Sequence, residues 1–232
     1  MRTRQTVLSA LAGLTLALTG CSESGPDTAS TAADSDSNGG NAAAEDSTKV
    51  GTPAVDVTAM LESSLEPRNG VGMDRLKQSE MQVTCSEVGG ASPGGEQAEA
   101  IRAAAKAGVT YPEDGNYLGD WKAGETIAQT GTGMQYSDDP DEPNGGNCYA
   151  CHQLDPEEVA YGTLGPSLTN YGQRGTSEQM LTYTWDKLWN PHAFNACSHM
   201  PRFGDAGILT EQQLKDVMAY LLDPDSPVNR KP

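Results

Sequence analysis

The stretch Cys148-Tyr149-Ala150-Cys151-His152 constrains this chain more than any other feature of it. Two thiols separated by two residues, with an imidazole directly after them, match the spacing at which a c-type haem is attached covalently. Cys148 and Cys151 take the two vinyl groups as thioethers, and His152 is held where it can ligate the iron from one side. The chemical rival is zinc, because Cys148, Cys151, Cys197 and His199 could supply a Cys₃His set. Spacing and an exported context favour haem. The expectation is one covalently attached haem c.

The export context comes from the first twenty residues. Arg2 and Arg4 precede an apolar run from Thr6 to Gly20, which reads as a secretory signal and is too short to span a bilayer. Leu18-Thr19-Gly20-Cys21 resembles the lipobox of bacterial lipoproteins, which would make Cys21 the acylated first residue of the mature chain. An ordinary signal with an incidental cysteine is the alternative. Residues 21–52 are Ser, Ala, Gly, Asp and Asn with almost no large apolar side chain, so they read as a disordered acidic tether. The expected location is periplasmic, held to a membrane by lipid alone. The chain's formal charge is −17, and loss of Arg2 and Arg4 with the signal makes it −19. With no basic patch, nucleic-acid binding is excluded. An acidic face could steer a basic protein partner, although solubility alone would also account for it.

Five cysteines divide cleanly in an oxidising compartment. Cys21 goes to lipid and Cys148 and Cys151 go to haem, so Cys85 and Cys197 remain. A disulfide between them is expected, against two separately buried thiols, and it would tie the N-terminal part of the chain to the segment around Met200.

Helical spacing appears in several places and strand alternation in none. Met73 to Val83 and the Ala-rich run Glu96 to Ala107, stopped by Gly108, predict two helices in an N-terminal extension over 53–115. Tyr111 to Gly115 is turn chemistry that separates it from a haem domain over 116–232. Gly119 to Thr130 predicts a helix capped by Asp120, in which Gly124 costs about 1 kcal/mol relative to alanine and so implies close approach of another helix. That partner is Thr210 to Leu222, with a capping box of Thr210 and Gln213 and a stripe of Leu214, Val217, Met218 and Leu221. Thr176 to Trp189 predicts a further helix, and Ser137 to Asn147 an acidic loop.

A helix, CxxCH, a middle helix and a C-terminal helix, in that order, resemble a class I c-type cytochrome. The fold this implies is all-α, with the N-terminal helical extension added. Gly124 would then pack against an aromatic of the last helix, Tyr220. Gly165-Pro166-Ser167-Leu168 resembles the loop that offers a proline carbonyl to the ligating histidine, which makes Pro166 the candidate acceptor for His152; a simple turn would satisfy the same residues. Met200, followed by Pro201 in a loop between the middle and last helices and flanked by Phe194 and Phe203, stands where such cytochromes place a thioether ligand. His199 and an open site are the alternatives. Arg202 has the geometry to meet a haem propionate.

A narrower match covers roughly Met73 to Asn229. Gly119 to Glu125, Gly145 to Pro156, Tyr161 to Leu168, Met200 to Gly204 and Gly207 to Thr210 together resemble SoxX, the monohaem cytochrome subunit of the bacterial SoxAX complex. The resemblance implies a heterodimer with a SoxA-like haem protein that couples thiosulfate oxidatively to a carrier-protein cysteine, an L-cysteine S-thiosulfotransferase. It places the sulfur chemistry on the partner, leaves this chain with no catalytic residue, and sends electrons on to a small soluble cytochrome c. The lipobox and the long tether depart from the commoner soluble form. A stand-alone lipid-anchored cytochrome is the second expectation, and peroxidase-like chemistry at an open haem the third.

Overall fold

The structure is a computed structural model that describes residues 55–69, 71–89, 91–133, 135 and 137–230. The expected signal, Cys21 and the tether lie outside the described residues. Six α-helices are found among the described residues: α1 (Val57–Ser64), α2 (Glu80–Glu87), α3 (Gly95–Ala107), α4 (Trp121–Gln129), α5 (Glu178–Trp189) and α6 (Glu211–Leu222). The β-type pairing described is an isolated bridge between Arg68 and Val71. The fold is all-α.

The cap chemistry determines where the helices begin. Asp120 accepts from Lys122 N at the start of α4, Ser177 from Met180 N at the start of α5, and Thr210 and Gln213 form the reciprocal box that opens α6. The stretch 73–83 differs from its expected single helix. Met73–Leu76 is a 3₁₀ turn, and a second capping box, Ser79 with Gln82, starts α2 at Glu80. A polar Lys77-Gln78-Ser79 run offers the backbone local partners that compete with a continuous helix. Helix α1 has no counterpart in the sequence reading; it is short and none of its residues is buried.

Helices α4 and α6 make the most extensive pairing. A Cβ at Gly124 would collide with the carbonyl oxygen of Asp216 and with Cβ of Tyr220. The glycine therefore lets the two backbones touch, and the last helix presents a main-chain carbonyl there as well as the expected aromatic. The crossing is locked by Gly119 N–H donating to Lys215 O at 2.9 Å and Asp120 N–H to the Asp216 carboxylate at 2.9 Å. Leu214, Val217, Met218 and Leu221 of α6 are all buried, together with Trp185 and Leu188 of α5.

Helix α3 packs on the 3₁₀ turn Pro191–Ala193 that follows α5. Polar anchors hold it there. Asp186 of α5 is buried and accepts from Lys106 and, at 2.8 Å, from the Tyr111 hydroxyl. The indoles of Trp185 and Trp189 donate to Thr110 O at 2.8 Å and Gly108 O at 3.1 Å. Each buried donor thus has an acceptor, as burial without one would cost about 1–3 kcal/mol.

Candidate haem site

Asn147 adopts a left-handed conformation, φ 46°, just before the first cysteine. Asparagine tolerates that region better than other side chains, and the bend starts the 3₁₀ turn Cys148–Ala150. His152 N–H donates to Cys148 O at 2.9 Å, so the motif closes on itself. The loop after it is stitched to the motif's backbone. Gly162 N–H donates to Tyr149 O at 2.8 Å, Gly165 N–H to Cys151 O at 2.8 Å, and Leu168 N–H to Gln153 O at 2.8 Å.

This stitching brings Pro166 to the histidine. His152 Nδ1 lies 2.7 Å from the carbonyl oxygen of Pro166. With Nδ1–H donating, the tautomer is fixed and Nε2 carries the free lone pair. Gly165 lies flat against the imidazole, where any Cβ would collide with Cε1 and Nδ1. Gly162 lies as close to the Ala150 carbonyl. The sequence reading assigns no role to either glycine, although two glycines three apart in the loop after CxxCH are the visible signal of such approach.

Cys148 and Cys151 are both free thiols. Desolvation pushes the Cys148 thiol up to about 12. The Tyr149 hydroxyl lies 2.6 Å from that of Tyr220 on α6, and burial raises both phenols. That hydrogen bond ties the middle of the motif to the α4–α6 pair. It was not evident in sequence, since 71 residues separate its partners.

The Met200 side is assembled differently. Cys85 of α2 is bonded to Cys197, 112 residues away, with Cα atoms 5.6 Å apart. The zinc alternative therefore loses Cys197, whose thiolate is not free to ligate. Met200 is half-buried and packs against the core, while His199 is exposed. His192 is buried with Nδ1 2.7 Å from Ala196 O, and desolvation holds it below its ordinary value. Gly204 N–H and Asp205 N–H donate to Trp189 O, which hangs the segment from the end of α5.

The two phenylalanines diverge. Phe203 is buried, and its ring edge and the Cys148 sulfur both come within 4 Å of the position a Cβ would take on Gly146. This brings the Met200 segment alongside the CxxCH motif. Phe194 instead turns outward, edge-on to Tyr183 of α5 at 5.0 Å and beneath Lys187 at 4.3 Å. It does not line the same face. The Arg202 guanidinium pairs with Asp205, three residues on, at 2.6 Å.

The residues present fit a covalent c-type haem. Two free thiols stand at the required spacing, a histidine is oriented through its second nitrogen, and a glycine leaves its ring unobstructed. The cytochrome c family profile matches residues 121–223. An uncharacterised lipoprotein of Aquifex aeolicus (strain VF5) is 40% identical over 156 residues, covering 66% of this chain and 73% of that protein. Residues 121–223 are thus a cytochrome c family domain. A cytochrome c domain binds haem c, so the matched segment of this cytochrome holds α4, the CxxCH motif, the Pro166 loop, α5, Met200 and α6. Among the described residues no helix is long and apolar enough to cross a membrane.

Proposed function

We propose that this chain is a one-haem electron carrier in which Cys148 and Cys151 form the thioethers, His152 and Met200 are the axial ligands, and Cys21 carries a lipid anchor in the periplasm. A haem ligated in this way supplies reversible one-electron chemistry at an iron with no open position. The residues around it have separate tasks. Pro166 O accepts a hydrogen bond from His152 Nδ1–H and fixes the ring plane, and Gly165 keeps that ring clear. The Cys85–Cys197 bond holds the chain three residues before Met200. The observation that carries the reading is the 2.7 Å contact between His152 and Pro166, because an electron carrier needs a ligand that does not move between oxidation states.

The finer reading follows the motif resemblance. In it the chain is the haem subunit of a SoxAX-type pair, beside a SoxA-like protein that joins thiosulfate to a carrier-protein cysteine, and it passes electrons to a small soluble cytochrome. The second reading is a stand-alone lipid-anchored shuttle, favoured by the lipoprotein description of the Aquifex relative. Affinity purification of the chain with its haem, from cells grown on thiosulfate, separates them. An equimolar haem protein in the eluate supports the pair; a lone cytochrome that cycles reversibly with one electron supports the shuttle. A purified protein that binds carbon monoxide rapidly when reduced would contradict both.

A further inference from the structure

The loop that carries Gly162 and Gly165 has apolar side chains it does not bury. Val159 is 95% exposed, Leu164 73% and Tyr161 41%. Their position is fixed, since the same loop donates to the backbone of Tyr149 and Cys151 and brings Pro166 to His152. Exposed apolar side chains grouped on one ordered loop, with charges beside them, are the usual composition of a protein–protein contact.

The charges are of one sign. From residue 123 to residue 173 the chain contains eight acids and no lysine or arginine: Glu125, four acids between 138 and 142, and three between 155 and 158. The last three directly precede the apolar loop. Their one described cation is Arg230, 3.9 Å from Asp155 and 3.8 Å from Glu157. Residues 174 to 205, which include Met200, hold three acids and three bases. The acidity is thus concentrated on the haem-attachment segment and is not a general property of the domain.

We propose that the Val159–Leu164 loop, with Asp155, Glu157 and Glu158 beside it, is the docking surface for a cationic redox protein whose own apolar contact patch is ringed by lysines or arginines. This rests on the electron-carrier reading and names the chemistry of the partner. A second copy of the chain would set like charges against each other and is disfavoured for that reason. The docked partner is the oxidant: it gains the one electron that this cytochrome loses, with no bond or proton exchanged. The acidic field raises the encounter rate, and the apolar side chains exclude water from the contact once it forms.

The test uses the full chain with its covalent haem and a lysine-rich soluble c-type cytochrome as probe. Binding is followed by surface plasmon resonance and electron exchange by stopped flow, at low and high salt. Glu157→Gln with Glu158→Gln is expected to slow association and exchange about three- to tenfold at low salt, a difference that disappears at high salt. Val159→Ser with Leu164→Ser is expected to speed dissociation at both salts. Glu62→Gln with Glu66→Gln makes the same charge change on helix α1 and just after it, and is expected to leave all rates within about twofold. The surface is overturned if the α1 pair slows association as much as the Glu157 pair. It is also overturned if the serine pair leaves dissociation unchanged, or if that pair abolishes a self-association seen by sedimentation. A haem that fails to exchange electrons with hexaammineruthenium would overturn the electron-carrier reading itself. Normal exchange with that reagent, alongside any of the preceding failures, removes the docking surface alone.

Discussion

The His152 side and the Met200 side of the site are built by opposite means. On the first, the backbone hydrogen bonds nearest the ligand lie within the twenty-one residues from Cys148 to Leu168: the 3₁₀ turn, the stitching from Gly162 and Gly165, and the Pro166 carbonyl. On the second, the covalent tie comes from Cys85, 112 residues away, with the end of α5 adding support through Trp189. A local construction survives partial opening of the fold, because its loops are short and cheap to close. A remote one fails with the packing that carries it. The Met200 side is therefore the half of the site that loosens first.

The largest expected effect tests that order directly. Cys85→Ser with Cys197→Ser lowers unfolding free energy by about 2–5 kcal/mol, since it frees a long loop of the denatured chain. In a denaturant titration of this variant the weak far-red band of a sulfur–iron bond disappears well before the absorption bands of histidine-ligated haem change. Simultaneous loss of both signals would remove the distinction between the two halves.

Gly165→Ala attacks the other half. The added Cβ collides with the imidazole and costs about 1–3 kcal/mol as local overpacking. It pushes His152 off the Pro166 carbonyl and shifts the midpoint potential, while the Cys85–Cys197 bond stays intact by free-thiol titration. An unchanged potential would mean that the ring is free to move and that the glycine is dispensable.

The smallest effect is set by pH. Burial holds the His192 imidazole below its ordinary value, so the folded protein favours the neutral ring that donates to Ala196. The unfolded chain takes up a proton as pH falls through about 6.5, and the folded one does so only lower. Stability from this group is complete above that range and is lost as pH falls toward the lowered folded value. Between about pH 7.5 and 5.5 the far-red band therefore becomes easier to melt, and His192→Gln flattens that dependence.

The same division explains what the sequence disclosed. Cys148, Cys151 and His152 form a contiguous motif, and the caps Asp120 and Thr210 precede their helices by one residue, so local pattern was enough to read them. Gly124 was legible because a glycine in mid-helix needs a reason, and the Asp216 carbonyl and Tyr220 supply it. The cysteine count led to Cys85 and Cys197 without geometry, since two thiols were left over. What escaped depends on which side chains meet in three dimensions. Phe194 finds Tyr183 on α5, and Tyr149 finds Tyr220 across 71 residues, and no spacing along the chain favours those pairs over others. The break at Ser79 escaped for a local reason, as its capping box competes closely with a continued helix.

The central claim is that both axial positions of the iron are filled by this chain's own side chains, His152 from a locally built frame and Met200 from a remotely held one. The absorption spectrum of the purified protein, oxidised and reduced, tests it most directly, with Met200→Ala beside it. The account predicts a low-spin ferric spectrum with a weak far-red sulfur-to-iron band that Met200→Ala abolishes. A high-spin ferric spectrum, or a far-red band that persists in Met200→Ala, would contradict it.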